Sequence, residues 1–196
     1  MAIDQNWRKL SNQAFEELIS DMATPLLNKQ GIKLILQSEL CDLLNQNLIS
    51  NQKPDLEWLR KQSKSSTFNF YLAIRNGESY KIYGSVQSRT SISDNETKDR
   101  QESIVAMKKF FMSVAIVLDG KNLENSIIKN TVNGSEFDNQ QNGWHGMYVL
   151  SNKEIEIDRI HSIDVLMENF VKDVIEGAKF WTEQRQWFNH TWKPQR

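Results

Sequence analysis

Phe68-Asn69-Phe70-Tyr71-Leu72-Ala73-Ile74, then Arg75-Asn76-Gly77-Glu78, then Ser79-Tyr80-Lys81-Ile82-Tyr83-Gly84-Ser85-Val86-Gln87, is the stretch on which the fold turns. Two runs rich in aromatic and β-branched residues flank an Asn-Gly pair. Such runs favour the pleated backbone of a strand, and Asn-Gly supplies the positive φ that a tight hairpin turn demands. A central β-hairpin over 68–87 is therefore expected, with its exit at Arg89.

Upstream, Ala14, Phe15, Leu18, Ile19, Met22 and Leu26 recur at three- and four-residue spacing between Asn12 and Leu27, predicting an amphipathic helix capped by Ser11 or Asn12. Ile32 to Leu48 continues in a helical rhythm. Lys53-Pro54-Asp55 opens a further short helix carrying Leu56, Trp58 and Leu59, because proline is well placed in a first helical turn. Downstream of a polar stretch from Ser88 to Gln101, Glu102 to Phe111 predicts a helix. Ser113 to Leu118 predicts a short apolar strand, and Gly146 to Leu150 another. Lys121 to Asn142 is polar and rich in Asn, the composition of a surface excursion. Ile163 to Trp181 keeps an unbroken helical register and is expected to be the longest helix, packed on the sheet or on a partner. The fold class is α/β: a mixed sheet built from the hairpin 68–87 and strands 113–118 and 146–150, flanked by helices.

The chain has 196 residues, is 39% hydrophobic and 25% charged, and carries a net charge of −1 with a pI near 6.3. That length suits one domain spanning 1–196 with its own core. The longest apolar run, Val114 to Leu118, is too short to span a bilayer, so no membrane association is expected. Met1 to Asn12 lacks the basic-then-apolar order of a signal peptide, and a lone Cys41 has no internal partner, so a reducing cytoplasm is the expected location. Cys41 follows Leu40 and precedes Leu43 and Leu44, which places it in core packing. The near-neutral charge excludes a protein that holds nucleic acid by bulk charge alone, leaving local clustering in a cleft as the route to a DNA partner. His145, His161 and His190 are too widely spaced for a zinc pattern. Trp181, Trp187, Phe188 and Trp192 are expected to close a core or a dimer interface.

Certain words of the sequence are more specific. Phe15-Glu16-Glu17, Ser88-Arg89-Thr90-Ser91-Ile92, Lys98-Asp99-Arg100, the run Phe110 to Gly120, Asn142 to Tyr148 and Gln184 to Trp192 resemble the CCGG-family type II restriction endonucleases of the PD-(D/E)xK superfamily. The likeness spans roughly residues 11 to 193. It implies Mg²⁺-dependent, site-specific cleavage of double-stranded DNA by a homodimer, in which carboxylates hold the ion and the ion activates water. It places a helix acid at Glu16, a metal-binding acid at Asn69, a catalytic lysine at Arg89 and a displaced metal-binding acid at Gln101.

Carried over residue by residue, Glu16 alone keeps the expected chemistry. Asn69 and Gln101 put amides where carboxylates belong, and Arg89 keeps a positive charge that does not come off at working pH. Glu102, Glu96 and Asp94 are candidate substitutes for Gln101, Glu102 foremost, whereas Asn69 has none. A shift of register to Ser85-Val86-Gln87 supplies neither acid nor lysine. The segment expected to read bases is Ser93-Asp94-Asn95, with Lys98 and Arg100 as the basic donors beside it. Two functional readings follow: a nuclease of this family, or a catalytically silent homologue that binds DNA or a protein partner.

Overall fold

The computed structural model describes residues 2–90, 96–118, 126–134, 141–151 and 154–195. A long first helix, α1 (Ala2–Asn28), ends at Gly31, whose φ of 71° turns the chain into strand β1 (Ile32–Leu36). Helices α2 (Gln37–Asn45) and α3 (Lys53–Gln62) follow, the latter with Pro54 in its first turn as expected. The hairpin forms from β2 (Phe70–Asn76) and β3 (Ser79–Arg89), with Asn76 paired to Ser79 and Gly77 at a φ of 63° in the turn.

Beyond the hairpin run α4 (Glu96–Lys108), β4 (Met112–Val117), α5 (Ser126–Asn133), β5 (Gly146–Leu150), β6 (Glu156–Ile157), β7 (Ile160–Ile163) and α6 (Glu168–Gln184). A single turn of 3-10 helix, Arg185–Trp187, is the last element, and the described chain runs on to residue 195. Among the described residues the strands form one seven-stranded sheet in the order β1-β2-β3-β4-β5-β7-β6. β1, β2 and β3 are antiparallel, whereas β3, β4, β5 and β7 run parallel, joined by crossovers that include α4 and α5.

The expected mixed α/β architecture is therefore present, with five differences in detail. Ile32 to Leu36 is a strand rather than the start of a helix. Ile32 and Leu34 face one core cluster and Ile35 the other, so the segment is apolar on both faces and shows no clean alternation. The helix expected from Glu102 begins at Glu96, and α5 rises within the expected excursion. The longest helix is α1 at 27 residues, not α6 at 17. Cys41 is exposed, not core: it lies on the outer side of α2, where Asn45 Nδ2 approaches its sulfur at 3.6 Å.

Two apolar layers sandwich the sheet. On one face, α1 and α6 pack Phe15, Ile19, Phe170 and Val174 against Phe70, Tyr83 and Val114. On the other, α2, α3 and α4 bring Leu40, Trp58 and Ala106 against Ile35, Tyr71 and Ile82. Gly84 lets β3 and β4 pack closely, since a Cβ there would stand 2.9 Å from Met112 Cβ. No helix among the described residues is long and apolar enough to cross a membrane.

Candidate active site

Asn69 sits just before β2, pinned by its backbone: its N–H donates to Val86 O, and its carbonyl accepts from Gln37 N, each at 2.9 Å. This fixes the side chain where α1, the end of β3 and the first turn of α4 converge. Asn69 Nδ2 donates to Glu16 Oε1 at 2.6 Å, while Asn69 Oδ1 accepts from the Ser88 N–H at 2.8 Å and from an Arg89 guanidinium nitrogen at 2.9 Å. Arg89 in turn grips Asp99 in a bidentate pair, Nε to Oδ2 at 2.6 Å and a terminal nitrogen to Oδ1 at 2.8 Å. Its remaining donors reach Ser88 O and Thr67 O. A planar fork matched to a carboxylate is the strongest form of this contact, and here the carboxylate is buried.

Glu16, Asn69 and Arg89, separated widely in the sequence, are thus brought together. Asp99 joins them. The sequence reading missed it as a site residue because it lies in a polar stretch where only the resemblance marked Lys98-Asp99-Arg100. The signal available was its placement three residues before Glu102, which puts both acids on one face of α4. A second layer holds Asp99 in place: Gln87 Nε2 donates to the Asp99 carbonyl at 3.0 Å, and Trp144 Nε1 donates to Gln87 Oε1 at 2.6 Å.

Gln101 does not enter the cluster. On a helix it lies about 200° from Asp99, and it is exposed. Glu102 is half-buried and close enough for its charge to add to burial in raising the ionisation of Tyr71, whose hydroxyl is buried without a hydrogen-bond partner among the described residues. Ser93, Asp94 and Asn95 lie outside the described residues, and Glu96 opens α4. Lys98 is exposed beside Asp99. Arg100 directs its guanidinium to Thr131 O at 3.1 Å and Gln141 O at 2.5 Å, which ties α4 to α5 and to the approach to β5.

Glu16 also lines an open cleft of about 900 Å³ with Asn12, Gln13, Ser20 and Asp21. Thr90 donates to Asn12 at 3.0 Å, so the exit of β3 forms part of the same edge.

A divalent ion such as Mg²⁺ takes six oxygen ligands, typically one or two carboxylates with waters and phosphate. Both oxygens of Asp99 are engaged by Arg89, and the Asn69 carbonyl already accepts an amide N–H and a guanidinium. A positive charge therefore occupies the ground between Asn69 and Asp99 that a cation would need. Among the described residues no group of three His, Cys, Asp or Glu side chains is arranged to hold a metal. Among the described residues this arrangement does not fit a divalent ion.

Set against known proteins, the sequence matches no protein-family model, and no curated protein matches it. Solved structures do. The restriction endonuclease BsaWI, determined as a pre-specific DNA complex, is 40% identical to this chain and superposes with a TM-score of 0.94, over 100% of this chain and 71% of its own. The restriction endonuclease AgeI, determined as a specific DNA complex, is 13% identical with a TM-score of 0.63, over 89% of this chain and 69% of its own, and supports the fold. At 40% identity over its whole length, with the sheet and helices in the same places, this chain belongs to the restriction endonucleases.

Proposed function

We propose that this chain is a type II restriction endonuclease that takes double-stranded DNA and cuts it at a specific site, with a CCGG-type sequence as the first candidate. The observation that carries the reading is the end-to-end likeness to BsaWI, a protein seen on DNA. Exposed Lys98 at the converging ends of α1, β3 and α4 would meet phosphate, Arg89 adds positive charge there while its donors stay engaged within the chain, and Glu16 offers a carboxylate at the edge of the cleft. Ser93, Asp94 and Asn95 remain the candidate base-reading segment. Cutting both strands of a symmetric site calls for a homodimer.

A second reading rests on a specific observation. Asn69, Arg89 and Asp99 form a closed network that does not fit the family's Mg²⁺, which favours a homologue that binds DNA without turning it over. Incubating the purified protein with plasmid and Mg²⁺ or Mn²⁺ separates the two readings. Discrete fragments, lost in Glu16→Ala, support the nuclease. Intact plasmid, together with a gel shift that weakens with salt, supports the silent binder. No shift on any duplex contradicts both.

A further inference from the structure

We infer that Arg89 is the built-in cation of this centre: its guanidinium stands between Asn69 and Asp99, on the ground a divalent ion would need, so the chain engages DNA without one. The inference rests on the reading of DNA as ligand, but its first test needs no DNA. Three observations carry it. Arg89 is held bidentately by buried Asp99 at 2.6 and 2.8 Å and donates at 2.9 Å to Asn69 Oδ1, the atom that would face a metal if residue 69 were an acid. Asn69 is neutral and uses its other end to donate to Glu16 at 2.6 Å, an orientation that an aspartate, having no donor, does not permit. Gln87 and Trp144 fix the helix that carries Asp99 from behind.

The charge follows from this. Glu16 and Asp99 contribute two negative charges and Arg89 one positive, whereas an acid at 69 would add a third negative charge to the cluster. A cluster of uncompensated carboxylates repels a phosphate until a divalent ion is bound. Arg89 supplies part of that compensation from within the chain, leaving one negative charge where an acid at 69 would leave two. The substitutions at 69 and 89 are in this sense one change. The amide gives the guanidinium an acceptor, and the guanidinium removes the need for an acid.

Calorimetric titration of Mn²⁺ alone into the wild-type protein and into the double variant Asn69→Asp/Arg89→Lys tests the inference directly. Wild type is expected to show no saturable uptake, and the variant is expected to gain it. Saturable uptake by wild type that disappears in Asp99→Asn overturns the inference, as does a double variant that melts cooperatively yet takes up no Mn²⁺. Should the variant fail to fold, the wild-type titration decides alone. A second arm measures duplex affinity in EDTA and in Ca²⁺ at matched ionic strength. Wild type is expected to change by less than about threefold, and a gain of about tenfold or more with Ca²⁺ overturns the inference. Absence of duplex binding in both buffers counts against the proposed function, while the Mn²⁺ titration still decides the role of Arg89.

Discussion

Arg89 and Arg159 each anchor a polar network, and the two networks are built to different ends. Arg159, buried beneath the C-terminal segment, gives its donors to backbone carbonyls: His145 O at 3.2 Å, Trp192 O at 2.7 Å and Thr191 O at 3.1 Å. His145 beside it accepts from the Ser113 N–H through Nδ1 and donates through Nε2 to Asn189 O, with its ring packed edge-on to Phe188 and Trp192. These partners are main chain and aromatic ring, so the knot staples the chain end to the sheet. Arg89 instead meets a carboxylate and a carboxamide beside an open cleft. Backbone partners make a fixed staple. Side-chain partners can be exchanged for a ligand, and they can be changed by mutation to alter chemistry without dismantling the fold.

The largest effect should come from breaking the staple. Arg159→Met leaves the buried contacts to the His145 and Trp192 carbonyls, and the half-buried one to Thr191, without their donor, and urea unfolding is expected to show a loss of about 3 kcal/mol or more. Equal stability would mean that water replaces the guanidinium and that the knot is not structural.

Arg89→Ala sharpens the contrast. It leaves Asp99 buried and unpaired, but the arginine side chain is 20% exposed, so the expected loss is smaller, about 2 kcal/mol. Duplex affinity, if DNA is the ligand, should fall by about tenfold or more, against no change from a folded Arg159 variant. An Arg89 variant that binds DNA as wild type does would remove the centre from the interface.

His145 provides a pH test. Burial is the main cause that holds its ionisation down to about 3 from the ordinary 6.5, while its bond to Asn189 opposes that shift and the nearby charges of Arg159 and His190 add to it. Above pH 6.5 the ring is neutral in both folded and unfolded chains, so its contribution is complete. As pH falls from 6.5 toward 3, the unfolded chain takes up a proton that the folded one refuses, and stability declines. By pH 5 the decline from this group is about 2 kcal/mol, and unfolding curves of His145→Gln against wild type should show a correspondingly shallower slope with acid. Parallel slopes would contradict the neutral, buried ring.

The smallest effect is expected from Gln101→Ala. Exposed on α4 and outside the cluster, it should change stability by less than about 0.5 kcal/mol and leave duplex affinity unaltered. A large loss of binding would restore it to the site.

Much of the fold was legible in the sequence because its decisive element carries local signals. Asn76-Gly77 sets the hairpin turn, and the flanking apolar runs set its strands. Ile32 to Leu36 was not legible: a strand buried on both faces shows the same continuous apolar run as a buried helix, and its pairing with 70–74 is a long-range fact. α5 was hidden for another reason, since it lies in a segment whose polar composition outweighs one short apolar stripe.

In the site, Glu16, Asn69 and Arg89 were legible through words shared with a family, and the fold brings them within hydrogen-bond reach. Asp99 was hidden because its significance is relational. Only the fold shows that the partner of Arg89 comes from the first turn of the next helix. Arg100 shows the converse. A basic residue beside a suspected recognition segment suggests a base contact, yet its guanidinium is taken up by Thr131 and Gln141 carbonyls.

Metal-free recognition of DNA is measured by comparing, in fluorescence anisotropy, a short duplex carrying CCGG with a scrambled duplex of equal length and composition, in EDTA across a salt series. Binding to one sequence is expected to be tighter by about tenfold or more, with affinity falling as salt rises, and all of it without a divalent ion. Binding to neither duplex at low salt, or binding that appears only when a divalent ion is added, would contradict it.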